Sequence, residues 1–313
     1  MRAAIVGAGV IGSVMAAYLG RAGHHVDLLA RGQRLTDLRQ HGVVVRNGIT
    51  GQRVAAEVAV VEQLAHDQAY EVAIAAVKHQ DIDGLIPLFQ DLPHIPTIVL
   101  MANGLTGQRE FAQQVGAERV ILGFPGFGGG RTEKEIIFTT APTLIQTTTF
   151  GELEPSQITP RVNQMAQTLT NAGLHAVAEK NMLAWQRTHV AWVSPFANAI
   201  HVAGDSHVRL AARLDLIRLM LHAVRESLAA MERLGTPITP AKISLLRISP
   251  IELSARIAAL AIPTKLIELI ATLHCKSAPE EMRTLSEALI TFTAGSGMDA
   301  PHLRELHQLA WEM

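Results

Sequence analysis

Residues 3–13 read Ala3-Ala4-Ile5-Val6-Gly7-Ala8-Gly9-Val10-Ile11-Gly12-Ser13, and no charge interrupts the chain from there until Arg21. The four small apolar residues at the start suit a strand buried on both faces. The glycines then form G-x-G-x-x-G, and Ser13 to Arg21 has helical texture, so the motif lies between a strand and a helix, where it has physical meaning. Gly7 allows the tight turn, Gly9 lets a pyrophosphate approach the backbone, and Gly12 lets the helix lie close on the sheet. The first helical amides face that phosphate with no side chain between them. The stretch predicts a dinucleotide site formed by Gly7, Ala8, Gly9, Val10, Ile11 and Gly12. It also predicts the opening of a doubly wound α/β domain.

The next strand, His25-Val26-Asp27-Leu28-Leu29-Ala30, bears on which dinucleotide is bound. A site for the unphosphorylated form places an acid at the end of this strand, against the ribose hydroxyls. Here Asp27 lies inside the strand, and the strand ends in Ala30-Arg31-Gly32-Gln33-Arg34. Arg31, with Arg34 behind it, offers a guanidinium fork suited to a 2′-phosphate. NADPH is the expected cofactor.

The 18 uncharged residues from Ala3 to Gly20 raise the question of a signal or a membrane span. Gly7, Gly9, Gly12 and Ser13 dilute the run, and it stops short of the roughly 20 apolar residues a spanning helix needs. No membrane association and a cytoplasmic location are expected. In a chain of 313 residues, 27 Lys+Arg against 28 Asp+Glu leave a formal net charge of −1. Such a chain has no basic field to neutralise a nucleic-acid backbone, so nucleic acid is excluded as a partner. The single cysteine, Cys275, closes no intrachain disulfide. His24-His25, His201, His207, His302 and His307 lack ligand spacing, so no metal is expected. A low charge content leaves apolar area to cover, which favours an oligomer and is compatible with a homodimer.

Further along, Val43 to Arg46, Asn47-Gly48 and Ile49 onward read as a hairpin with a type I′ turn. Val72 to Val77 and Thr97 to Met101 are buried strands, and just past them stand Lys78 and Asn103. Ligands of open parallel sheets bind at that carboxyl edge. Val120 to Phe124 is another strand. After it, Pro125-Gly126-Phe127-Gly128-Gly129-Gly130-Arg131 reads as a loop whose amides, at Gly129 above all, could approach a cofactor. Ile136-Ile137-Phe138 and Thr143-Leu144-Ile145 read as an antiparallel pair. From Lys180 onward helical texture dominates, which places a boundary near residue 178. A Rossmann-type domain over residues 1–178 is then followed by an all-helical domain over 179–313, serving substrate binding and dimerisation.

In order and spacing these features resemble the ketopantoate reductase (2-dehydropantoate 2-reductase) family. The pieces that carry the resemblance are Gly7 to Gly12, Arg31, Val77-Lys78, Asn103-Gly104, Leu122-Gly123, the Trp185 to Ile200 helix, Glu226 to Gly235 and the helices running through Pro301. The resemblance implies NADPH and a small 2-oxo acid meeting in an interdomain cleft. It also implies cofactor contacts from Lys78, Asn103 and Glu281, while Glu226 coincides with a family glutamate.

The catalytic stretch departs from the family. Where the family reads Trp-Arg-Lys and then two asparagines, this chain has Trp185-Gln186-Arg187-Thr188-His189-Val190-Ala191-Trp192-Val193-Ser194-Pro195. Arg187 takes the lysine's place, or Gln186 does if a one-residue gap precedes Pro195. Ser194 replaces the second asparagine, and Asp205 aligns with a third, so Asn103, Ser194 and Asp205 are the expected substrate contacts. Arginine keeps the charge but gives up no proton near neutral pH. Arg187 is thus expected to hold the developing alkoxide or a carboxylate, while His189, Lys180 or water supplies the proton. The expected function is an NADPH-dependent reductase of a small 2-oxo acid or related carbonyl. The alternatives are a non-catalytic NADPH-binding sensor or partner module, and an opine-type dehydrogenase.

Overall fold

The uncharged run folds as β1 (Arg2–Val6) followed by α1 (Val10–Arg21), whose residues from Gly12 to Leu19 are all buried. A computed structural model describes residues 1–132, 135–154 and 157–312. By its internal contacts the chain divides into two units, Met1–Met182 and Leu183–Met313.

In the first unit, β1 and α1 are followed by β2 (His25–Leu29), α2 (Gly32–His41), β3 (Val43–Asn47), β4 (Arg53–Ala56), β5 (Ala59–Val61) and β6 (Val72–Ala75). Next come α3 (Ile86–Asp91), β7 (Ile98–Leu100), α4 (Gln108–Val115), β8 (Val120–Phe124), β9 (Phe127–Arg131) and β10 (Ile136–Thr140). β11 (Thr148–Glu152), α5 (Pro160–Asn171) and β12 (Ala176–Ala178) complete the unit. Eight of the strands form one sheet in the order β12-β11-β8-β7-β6-β1-β2-β5. Its neighbours pair in parallel except β11, which runs antiparallel to β8. β6 and β7 are buried at every position, as expected of strands covered on both faces.

The other four strands form a second sheet, β4-β3-β10-β9. α1 touches strands of both sheets, and Tyr18 on α1 meets Phe138 of β10 edge to face at 5.8 Å. A helix covered on both sides has no face for charge, which explains the uncharged run without recourse to a membrane. Among the described residues no single helix is long and apolar enough to cross one.

Three local expectations are corrected. Phe127 to Arg131 is strand β9, antiparallel to β10, and not a loop. A Cβ on Gly129 would lie 2.1 Å from the Ile137 carbonyl oxygen, so strand packing accounts for this glycine. Thr143-Leu144-Ile145 is a turn after Pro142, with Leu144 86% exposed, and β10 pairs with β9 and β3 instead. The β3–β4 hairpin forms, but its connection is longer than two residues. Asn47 Oδ1 accepts from the amides of Ile49 and Thr50, and the left-handed residue is Gly51 (φ 74°), which a two-residue type I′ turn would not give.

Among its described residues the second unit consists of helices joined by turns and has no strand. It contains α6 (Met182–Val202, whose first residue closes the first unit), α7 (His207–Ala211), α8 (Leu214–Arg233), α9 (Leu245–Ile248) and α10 (Ile251–Ala261). After these come α11 (Lys265–Ile267), a π-helical turn (Glu268–Thr272), α12 (Leu273–Ser277), α13 (Pro279–Ala294) and α14 (Pro301–Trp311). α8 is the hub of this unit, packed against α14, α10, α13 and α9. Val224, Leu228 and Met231 of α8 close on Ala191 of α6 to form a small apolar core.

Candidate active site

Four neighbouring strands, β7-β6-β1-β2, end in the residues that the sequence singled out. Asn103 follows β7, Lys78 follows β6, Gly7 follows β1 and Arg31 follows β2. Parallel pairing puts all four strand ends on one edge of the sheet, so residues far apart in sequence share one site.

The glycines there answer to distinct constraints. Gly7 has φ +108°, and a Cβ on it would lie 2.3 Å from the Ala76 carbonyl oxygen. A Cβ on Gly12 would lie 1.9 Å from the Gly7 carbonyl oxygen, which fixes the approach of α1 to the turn. Gly9, the N-cap of α1, has nothing within 4 Å of its would-be Cβ. That open face beside the amides of Val10 and Ile11 is the shape an anionic pyrophosphate needs. Ala8 contributes its carbonyl instead: it accepts from Ser13 Oγ (3.3 Å) and from Arg34 Nε (3.0 Å), while Arg34 Nη2 donates to Ser13 Oγ (3.2 Å). Arg34, expected to stand behind Arg31, is therefore a pin across the glycine loop. Its guanidinium is held below the usual arginine range by burial and, second, by the neighbouring Arg131. Arg31 itself is exposed at the N-cap of α2.

Asp27 does not reach this edge with a free carboxylate. Its Oδ2 accepts from Tyr70 OH at 2.6 Å, and burial together with this bond pushes the Tyr70 phenol up to about 12. Lys78 is exposed and opens a short 3-10 turn. Asn103 Oδ1 is buried with no hydrogen-bond partner, an acceptor facing no donor of the chain. A buried amide oxygen left in this way is costly unless a ligand completes it. The glycine cradle, the exposed arginine and this orphaned oxygen fit a pyridine dinucleotide. Gly129 is the exception, since it is enclosed by β10 within the second sheet.

The candidates of the second unit lie mainly on α6. Arg187 Nη1 donates to Thr236 Oγ1 (3.4 Å), and its guanidinium sits 5.8 Å from the Phe292 ring centre. Gln186 is 2% exposed. Ser194 is fully buried, and its Oγ has no hydrogen-bond partner. The His189 ring lies parallel to Trp185 at 5.5 Å and edge-on to Trp192 at 5.2 Å. Burial, and second the nearby His274, push it down to about 3. His189 is therefore held neutral at pH 7 between the two tryptophans. Lys180 is exposed just before α6. Asp205 has φ 57°, and its Oδ1 accepts from His201 Nδ1 at 3.1 Å, while His201 stacks on Trp311.

Glu226 has a structural task. Its carboxylate accepts from the His302 and Leu303 amides at the start of α14, and from the His302 ring at 2.5 Å, so it caps that helix. Glu281 sits in the first turn of α13 with its side chain 3% exposed, 3.5 Å from His274 Nε2. Cys275 is enclosed, and burial pushes its thiol up to about 12, so it is an inert packed thiol. Among the described residues no group of His, Cys, Asp and Glu could hold a metal. Two features escaped the sequence reading. One is the pairing of His274 with Glu281. The other is a buried network in which Asn198 donates to Ser286 Oγ and accepts from Trp311 Nε1, while Ser286 Oγ bonds His307 Nδ1.

Residues 3–155 match the sequence profile of the family described as "Ketopantoate reductase PanE/ApbA". No curated protein matches the chain. Among solved structures it is similar to 2-dehydropantoate 2-reductase from Geobacter metallireducens GS-15, with 19% identity, coverage of 100% of this chain and 99% of that one, and a TM-score of 0.79. It is also similar to the 2-dehydropantoate 2-reductase of Methylococcus capsulatus (20% identity, 99% and 95% covered, TM-score 0.74). A third is D-mandelate dehydrogenase in its ternary structure with NADH and anilino(oxo)acetate (15% identity, 99% and 97% covered, TM-score 0.77). At such identities these likenesses establish the fold: a Rossmann-like parallel sheet followed by a helical region.

Proposed function

We propose, from the match of residues 3–155 to the ketopantoate reductase PanE/ApbA profile, that the chain is an NADPH-dependent reductase of a small 2-oxo acid or related carbonyl. The observation that carries this reading is the edge β7-β6-β1-β2, where a glycine cradle, an exposed arginine, a lysine and an orphaned amide oxygen succeed one another at the strand ends. Bound there, reduced nicotinamide would supply a hydride.

The chain's own residues divide the remaining work. Gly7, Ala8, Gly9, Val10, Ile11 and Gly12 would hold the pyrophosphate through backbone amides, with Arg34 keeping the loop in shape. Arg31 would pair with the 2′-phosphate and so prefer NADPH over NADH, an interaction carried by a charge-assisted fork. Lys78 adds a positive charge on the same edge. Asn103 would accept a hydrogen bond at its Oδ1 from the carboxamide or from the substrate. In the helical unit, Arg187 would carry negative charge of the substrate, and Ser194 offers a buried hydroxyl. The absence of the family's lysine from α6 means the alkoxide is protonated by another group. An Asp205 carboxylate near a keto acid would repel it unless His201 offsets its charge.

The test is a fluorescence titration with NADPH and with NADH, continued in the same cuvette with ketopantoate and a panel of 2-oxo acids. Tight NADPH binding with oxidation by a panel member is the expected outcome. Tight binding without oxidation across the panel would favour a non-catalytic NADPH-binding module. No binding of either nucleotide would refute the reading of the glycine edge.

A further inference from the structure

Ten large apolar side chains are exposed among the described residues, and five of them fall between Leu245 and Leu260. Leu253, Ile257 and Leu260 lie on α10, while Leu245 and Ile248 lie on α9. Each is more than half exposed, and Ile248 and Leu260 reach 80%. Single apolar residues are ordinary on a protein surface, but a concentration of this kind marks a place of contact.

The helices explain the concentration. Leu253, Ile257 and Leu260 are spaced i, i+4, i+7 and so form one stripe along α10. Ile251, Ala255 and Ala258 form a second stripe at the same spacing, roughly 180° away around the helix. The second stripe is the inner one, with Ala255 fully buried where α10 packs on α8 and α7. A helix that is apolar on both sides is one covered on both, and the chain itself covers one. α9 is built alike, since Leu246 packs against the small core around Leu228 while Leu245 and Ile248 stay exposed. The two helices are held together. Arg225 Nε donates to the Leu246 carbonyl at 2.9 Å, and Ser254 Oγ donates to Ser249 Oγ at 2.9 Å.

Area and charge identify what covers the patch. The five side chains expose about 600 Å², against roughly 450–520 Å² of apolar area that one partner gives to an interface of standard size. The flanks of the α10 stripe differ: one carries Glu252 and Arg256, the other Ser254 and Ala261. A two-fold axis across the helix sets like flanks side by side in opposite directions. An axis near Ser254, close to the middle of the patch, brings Glu252 of each copy beside Arg256 of the other. Opposite charges four residues apart are thus complementary to their own image. Glu252 is already ordered by Arg218 of α8, whose Nε and Nη2 donate to its two oxygens at 2.7 and 2.8 Å. A lipid surface fits less well, because helices that lie in one carry a Lys- and Arg-rich polar face and aromatic anchors. α10 has one arginine, no lysine and no aromatic residue.

We propose that α10, with the end of α9, is the contact face of a homodimer whose copies meet antiparallel across a two-fold axis near Ser254. The exposed stripe of each copy is then covered by that of the other. Dimerisation through α10 does not rest on the reductase reading, and mass and crosslinking read it without any nucleotide.

Sedimentation velocity of the full chain at micromolar concentration should give twice the 33.8 kDa of one copy. Ile257→Glu should weaken the dimer at least about 100-fold, because the two-fold axis repeats each substitution on both sides. Leu144→Glu, at an exposed apolar position of the first unit, should leave the mass unchanged. Both positions are exposed, and an unchanged circular dichroism spectrum checks that each variant is folded. Leu253→Cys, adjacent to the axis, should be joined into a covalent dimer by a short bismaleimide, and Leu144→Cys should not. The native Cys275 is buried and gives no background. A wild type that sediments as a monomer, or a dimer that Ile257→Glu leaves intact, would overturn the proposal. So would crosslinking through Leu253→Cys no better than through Leu144→Cys. Flotation of a monomeric wild type with vesicles of phosphatidylcholine and phosphatidylglycerol would overturn it in favour of a lipid surface.

Discussion

The edge β7-β6-β1-β2 and helix α6 carry the two halves of the candidate chemistry, and they are built in opposite ways. At the sheet edge most of the work falls to backbone, through amides beside Gly9, a carbonyl at Ala8, and glycines whose missing side chains leave room. On α6 every candidate is a side chain: Gln186, Arg187, His189 and Ser194. A backbone site tolerates few substitutions, because a single Cβ in the wrong place fills it. A side-chain site changes its chemistry with each substitution while the helix that presents it stays intact. The comparison accounts for a sheet edge that is legible in the sequence of the same chain whose α6 stretch leaves its chemistry open.

The most severe way to break the first half is Gly12→Ala, whose Cβ would enter 1.9 Å from the Gly7 carbonyl oxygen. It should abolish NADPH binding in a fluorescence titration and lower the urea midpoint. For the second half, His189 gives a pH test. Its folded value of about 3 lies below the unfolded value of 6.5, so the unfolded chain binds the extra proton and stability falls as pH drops below the unfolded value. Wild type should lose roughly 2–3 kcal/mol through this group between pH 7 and pH 4.5. His189→Phe, which keeps an aromatic ring between Trp185 and Trp192, should lose that much less in urea melts over the same interval.

Arg31→Ala should weaken NADPH by about 1.5–3 kcal/mol, roughly 10- to 150-fold, with little change for NADH. Equal losses for the two cofactors would show that Arg31 does not read the 2′-phosphate. The smallest effect sharpens the comparison most. Gly9→Ala meets nothing within 4 Å, so the urea midpoint should stay within about 0.5 kcal/mol of wild type while NADPH binding weakens. Loss of stability matching that of Gly12→Ala would mean that Gly9 serves packing and not a ligand.

Where local chemistry governs, the sequence is readable. β1, the glycine turn and α1 succeed one another with no competing signal, and Lys78, Asn103 and Arg31 each come after a short apolar strand. Tertiary pairing hides the rest. Three consecutive glycines at 128–130 carry no strand propensity, yet they lie in β9, where a Cβ on Gly129 would run into the Ile137 carbonyl oxygen. Thr143-Leu144-Ile145 has strand texture, but Pro142 starts a turn whose amides at Ile145 and Gln146 donate back to its carbonyl. His274 and Glu281 meet only because a helix breaks between them, and their spacing of seven would suggest nothing across an interrupted helix. In sequence His189 is one open choice among proton donors, and the two tryptophans that enclose it lie on its own helix at spacings of four and three.

Helix α1 lies between two sheets, with Gly12 through Leu19 buried. For anyone redesigning the nucleotide preference of this protein, that leaves almost no freedom in the element whose amides face the ligand. The adjustable parts are its neighbours: Arg31 at the N-cap of α2 and Arg131 at the end of β9, neither of which lies in the apolar core. A library confined to Arg31 and Arg131, with Arg34 kept as the pin of the glycine loop, would vary the charge around that edge while the helix beneath it stays an unaltered mount.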